Sequence, residues 1–223
     1  WKRFETDWVC LECEVLPWAL NANKVLEKGH GPLLAAGDVM YERAEGVLRE
    51  RFGKKFESVT EGQECFRRYR SLYERCLAER ELEPSVAPVH LIATEGRSYF
   101  DQTHLWHMQT LGALARKAGA PFVETPFTVV ALDDARSTQA GLDWVKAVLG
   151  AGAQGVTVKP QAFIPKGRRG FAQPALLCRS REQLRLVYGP EYDVLENRLV
   201  LRDQERNQRE RNRRTLKQFS LSI

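Results

Sequence analysis

The residues best suited to chemistry sit in a few short stretches. Glu12 and Glu14 stand two apart in Trp8-Val9-Cys10-Leu11-Glu12-Cys13-Glu14-Val15-Leu16. That run alternates as a strand does, so Val9, Leu11, Cys13 and Val15 take one face and both carboxylates the other. Hard cations take oxygen ligands, and Mg2+ commonly combines one or two carboxylates with substrate phosphates. The pair therefore suits a metal that travels with phosphate, although a solvated edge strand gives the same pattern. Cys10 and Cys13 form a C-x-x-C without the second pair that a zinc ribbon needs, and residues three apart on a strand face opposite ways.

Cations come next. Gly155-Val156-Thr157-Val158-Lys159 reads as a strand, Lys166-Gly167-Arg168-Arg169-Gly170 as a basic turn, and Gln173 to Arg179 as a returning strand. Period two puts Gly155, Thr157 and Lys159 on one face and Ala175, Leu177 and Arg179 on a face of the partner, so Lys159 and Arg179 could share a cleft. Two cations facing carboxylates on another strand is an arrangement for handling a nucleoside triphosphate. A hairpin with solvated charges satisfies the same spacing. His104 and His107 lie three apart in a helical stretch, permissible for metal ligands, but Leu105, Trp106 and Met108 around them favour a packed, hydrogen-bonded pair. No Walker loop, G-x-S-x-G or H-E-x-x-H occurs.

The elements that must hold these residues are a mixture. From about Ala19 to Glu83 the spacing is helical, with Leu33, Leu34, Val39, Val47, Phe66, Tyr69, Leu72 and Cys76 at three- and four-residue intervals, punctuated by Gly53. Val89 to Thr94 suits a strand, Gln102 to Ala118 a helix, and Phe122 to Leu132 an extended run. Ser137 then caps a helix that stops at Gly150, and an Arg-rich polar helix occupies the end of the chain.

At 223 residues, 43% hydrophobic and 28% charged, the composition is that of a folded globular chain, and its net charge of +5 suits an anionic partner. No apolar run approaches the roughly 20 residues of a membrane span, and the amino end lacks a signal-peptide pattern, so a cytoplasmic location is expected. The five cysteines are odd in number and irregular in spacing, against a disulfide framework. The opening on a strand at Trp1, without Met, suggests the downstream part of something longer.

Six ordered segments carry a family resemblance. They are Asp7 to Trp18, His90-Leu91-Ile92-Ala93-Thr94-Glu95-Gly96, His104-Leu105-Trp106-His107-Met108, Gly155 to Pro160, Gln173-Pro174-Ala175-Leu176, and Leu186 to Tyr192. Together they resemble the carboxyl-terminal adenylyltransferase (RNA ligase) domain of bacterial polynucleotide kinase-phosphatase, an RNA-repair protein. The resemblance implies an α+β fold of the covalent nucleotidyltransferase type, unrelated to ATP-grasp. Its antiparallel sheets would fill residues 1–190, with a helical insertion at about 19–83 and a carboxyl-terminal helical segment at 191–223.

It also implies ATP or AMP with Mg2+ or Mn2+ as cofactors, Glu14 as the carboxylate near ribose or metal, and Lys159 and Arg179 as nucleotide-binding cations. Arg168 and Arg169 would hold RNA backbone. The partners implied are RNA, upstream kinase-phosphatase segments and an RNA 3′-terminal 2′-O-methyltransferase.

The sequence departs from the family at three places. Gln154 replaces the glutamate that opens the fourth motif, and Leu177-Cys178-Arg179 lacks the lysine of Lys-x-Arg. The nucleophilic lysine is expected upstream, with no catalytic residue in this chain. The expectation is thus a degenerate adenylyltransferase, inactive in isolation, or a non-catalytic RNA- or partner-binding module.

Overall fold

The computed structural model describes residues 3–17, 26–53, 57–79, 82–168, 170–171, 175–194, 197–200 and 203. Arg169, Gln173, Pro174 and the arginines of the expected Arg-rich helix lie outside those residues. The chain forms two compact units. The first takes Trp1–Glu27 with Cys76–Ser180, and the second Lys28–Arg75 with Arg181–Ile223. Lys28–Arg75, within the expected helical insertion, is thus grouped with Arg181–Ile223.

In the first unit, β1 (Val9–Leu16) pairs antiparallel with β2 (Ser85–Thr94), and β2 with β3 (Arg97–Ser98). β1 keeps its alternation, with Val9, Leu11 and Cys13 half-buried and Cys10, Glu12 and Glu14 exposed, until Val15, which is exposed rather than inward. β2 is less regular. Register shifts fall between Cys10 and Leu11 and between Glu12 and Cys13, leaving Ile92 and Val89 without a β1 partner. Pro88 brings no backbone donor to the ladder, which favours irregular pairing beside it. The result is that consecutive residues His90 and Leu91 are both buried, 4% and 0% exposed.

Leu91, Tyr99 and Leu111 form the core, with Phe4, Val9, Leu11, Trp106 and Leu114 packed around them. Burying one such leucine contributes about 1.5–3 kcal/mol. α3 (His104–Ala118) packs on β2 through a stripe that includes His107, Leu111 and Ala115. Its start is at His104 rather than Gln102, because Thr103 Oγ1 accepts the Trp106 N–H as an N-cap. Past Gly119 the chain runs beside β2, with a parallel bridge between Phe122 and Val86. The rest of the stretch to Leu132 forms no strand.

α4 (Ala135–Gly150) is capped by Asp134, whose carboxylate accepts from the Arg136 and Ser137 N–H groups. Ser137, the expected cap, accepts from the Ala131 N–H instead. β4 (Gly155–Val158) pairs antiparallel with β7 (Leu176–Arg179), and between them β5 (Lys166–Gly167) pairs with β6 (Gly170–Phe171), so the basic turn is a hairpin of its own.

The second unit is helical. α1 (Gly31–Phe52) follows a π-turn, Leu26–His30, and ends at Gly53, whose φ of 64° places it in the left-handed region that glycine adopts freely. α2 (Glu57–Glu79) crosses into this unit with Phe66, Tyr69 and Leu72 buried. α5 (Arg181–Tyr188) adds Leu186 to the buried set, and Arg75 pairs with Glu182 at 2.6 Å. Among the described residues no helix is long and apolar enough to cross a membrane.

Candidate functional site

Three segments of the first unit converge on one imidazole, that of His90 on β2. β1 supplies Glu12, which stands opposite His90 in the sheet register. Its Oε2 accepts from His90 Nδ1 at 2.5 Å. α3 supplies His104, whose Nδ1 lies 3.1 Å from His90 Nε2, and His107, whose Nδ1 accepts the Leu91 N–H at 3.2 Å. The bulged strand frees that N–H for a side-chain acceptor. The two α3 histidines are therefore packed and bonded, each to β2 rather than to the other.

The segment after β4 supplies Lys159 and Phe163. It is fastened to the start of α3, where the His104 N–H donates to the Gln161 carbonyl at 2.9 Å and Thr103 bridges Ala162. This brings Lys159 Nζ to 3.2 Å from His90 Nε2. Phe163 presents its ring to all three histidines, with centroids 4.8 Å from His90, 5.2 Å from His104 and 5.0 Å from His107. His90 and His104 are stacked at 4.9 Å.

The charges follow from this packing. The His90 hydrogen bond holds the Glu12 carboxyl below its ordinary value against the opposing effect of burial, and the charge of Lys159 adds to the effect. Burial lowers His90 and outweighs the carboxylate's pull. Burial, with His90 and Lys159 nearby, brings His104 down to about 4. His107 is lowered chiefly by burial. All three imidazoles are neutral at pH 7. Burial also lowers Lys159, while Glu12 and Glu14 oppose the shift. Glu14 is thus near enough for its charge to be felt at Lys159.

The other expected residues are more dispersed. Arg179 is exposed on β7 opposite Gly155, whereas Lys159 follows Val158, opposite Leu176, at the other end of the ribbon. Four residues along the chain separate the two positions by about 13 Å, so Lys159 and Arg179 do not converge. Arg168 is exposed at the tip of the β5–β6 hairpin. Gln154 precedes β4, and its carbonyl accepts from the Ser180 N–H at 2.7 Å.

Sequence reasoning did not single out His90 or Phe163. A lone histidine in an apolar strand reads as core, and only the fold shows Glu12 facing it. For a divalent ion, no group of three or more histidine, cysteine, aspartate or glutamate side chains among the described residues could enclose one. Glu12 is committed to His90. Glu14 remains, and a single carboxylate fits an ion that arrives with nucleotide phosphates supplying the other oxygens.

Antiparallel sheets and helices around a Glu–His–Lys constellation make this an α+β protein. Residues 1–223 match the family described as the PNKP adenylyltransferase domain, ligase domain, and the chain belongs to that family. A chain in the solved structure titled "Structure of Pnkp1/Rnl/Hen1 complex" shares the fold, with a TM-score of 0.60 and 16% sequence identity. The match covers 90% of this chain and 60% of that one. No curated protein matches the sequence.

Proposed function

We propose that the Glu14–Lys159 side of the first unit binds the phosphates of ATP or AMP, as the nucleotide pocket of an RNA-repair adenylyltransferase with Mg2+ or Mn2+. The observation that carries this reading is the setting of Lys159. Its ammonium is half-buried and meets a neutral imidazole, and among the described residues no carboxylate pairs with it directly. Its charge is therefore fixed in place and left available to an anion. Arg168 extends the cationic surface toward RNA backbone. Arg179, about 13 Å along the ribbon from Lys159, serves a more distant phosphate.

The chain binds nucleotide in this reading without forming an adenylyl-enzyme unaided. Gln154 provides no anionic metal ligand, and Leu177 stands where the family's phosphate-contacting lysine would be. Loss of such fixed charges typically removes several kcal/mol of transition-state stabilisation. Family membership supports a role in an RNA-repair assembly, and the solved relative was found in a Pnkp1/Rnl/Hen1 complex.

The test is equilibrium binding of ATP with Mg2+ to the full chain, followed by incubation with radiolabelled ATP. Saturable binding that Lys159→Gln weakens, with no covalent label, is the expected result. A labelled polypeptide overturns the inactivity, and an unchanged affinity in Lys159→Gln overturns the site.

A further inference from the structure

We infer that His90 is a positioning residue that aims the Lys159 ammonium through a neutral acceptor, Nε2, with Glu12 fixing the tautomer from the other side of the ring. The inference rests on the proposed phosphate site, and it assigns a task to a histidine to which the resemblance gave no role.

The geometry requires a division of labour between the two ring nitrogens. A carboxylate accepts only, so the 2.5 Å contact with Glu12 Oε2 puts the proton on His90 Nδ1. A neutral ring with Nδ1–H has one lone pair left, on Nε2. That atom lies 3.2 Å from Lys159 Nζ and 3.1 Å from His104 Nδ1, and both can donate to it. The ring itself cannot turn away. Its side chain is 5% exposed, stacked on His104, with His107 and Phe163 edge-on at 5.4 and 4.8 Å.

Lys159 needs such a partner because it lies beyond the end of β4, next to Pro160, where no ladder fixes its direction, and a lysine side chain is flexible. The choice of partner matters electrically. A carboxylate in the position of Nε2 would hold the ammonium and also cancel its charge. A neutral imidazole holds it and leaves the positive charge for the ligand, while Glu12 is kept one ring further off. This is preorganisation of a cation, with the orienting carboxylate placed behind an imidazole.

Two near-isosteres separate the roles of the nitrogens. His90→Gln places a carbonyl oxygen near the Nε2 position, and His90→Asn places an amide nitrogen near Nδ1. In Mg2+–ATP binding to the full chain, His90→Gln is expected to stay within about twofold of the unmodified protein. His90→Asn is expected to lose about tenfold, as for one charge-assisted hydrogen bond. Equal losses in both variants, or none in His90→Asn, overturn the inference.

A second measurement needs no variant and no nucleotide. Nitrogen-15 NMR of the unmodified chain should show His90 as the Nδ1–H tautomer and a slowly exchanging Lys159 ammonium. The Nε2–H tautomer, or a freely exchanging ammonium, overturns the positioning role even if ATP binds. If ATP fails to bind while both NMR signatures appear, the nucleotide site is wrong and the hold of His90 on Lys159 stands.

Discussion

Glu12 and Lys159 lie on opposite sides of a single imidazole, and His90 touches each with a different nitrogen, at 2.5 and 3.2 Å. An acid and a base that could have neutralised one another are thereby kept one ring apart. The separation leaves the positive end of the arrangement available for anion recognition.

Replacing Lys159 by Gln keeps much of the side-chain length and removes the charge. A hydrogen bond to a charged group is worth roughly 1.5–3 kcal/mol, so calorimetric ATP affinity should fall at least about tenfold. The melting temperature should hold or rise, because burial disfavours this charge in the folded chain.

The protein should be acid-labile well above the carboxylate range. All four histidines, His30, His90, His104 and His107, are lowered from 6.5, in each case first by burial, His104 to about 4. Between 6.5 and the folded values the unfolded chain binds more protons, so stability falls as pH drops through that window. Glu12 works the same way: its lowered carboxyl stabilises above its unfolded value of 4.5, and that contribution is lost as pH falls through the folded value. Thermal melts from pH 7.5 to 4.5 should show a continuous decline, steepening below 6.5. A flat profile would contradict the neutral imidazole cluster.

Gly37 and Gly112 make a contrasting pair. A Cβ at Gly37 would run into the buried Phe66 ring, which would have to shift. Gly37→Ala should cost about 1–3 kcal/mol by chemical denaturation, despite the better helix propensity of alanine. A Cβ at Gly112 would meet only the carboxylate end of Glu124, at 2.7 Å, which can swing aside. Gly112→Ala should be near neutral.

Asp134→Ala removes the side-chain acceptor of the Arg136 and Ser137 N–H groups at the start of α4. The expected loss is about 1 kcal/mol. Ser137→Ala leaves that cap intact and should cost less, which a pair of urea titrations would show.

Arg168, exposed at its hairpin tip, should contribute affinity for single-stranded RNA without sequence preference. Arg168→Ala should make the plot of log affinity against log salt shallower by about 0.7, the value for one phosphate contact on a single strand. An unchanged slope would remove this residue from the RNA surface.

The strands were legible where one face is buried and the other wet, as in β1, and α3 where its apolar residues recur at helical spacing. Legibility failed where distant parts of the chain decide the outcome. Phe122 to Leu132 is apolar enough for a strand, yet beside β2 it forms a single bridge at Phe122. Asp134 and Ser137 are both good caps, and which one serves depends on where the preceding loop delivers the backbone. Of the proposed site, Glu14 and Lys159 were expected from spacing and resemblance. His90 was not, because its importance lies in three neighbours drawn from β1, α3 and the segment after β4.

The register of β1 and β2 carries one more implication. Leu16, the last residue of β1, pairs with Ser85, the first of β2, so everything threaded between them closes like an overgrown β-turn. An excursion that departs and returns at adjacent ladder positions puts little geometric demand on the strands beneath it, and lengthening a closed loop costs only slowly growing entropy. The length of the intervening excursion can accordingly change while the pairing that sets Glu12 against His90 stays in step.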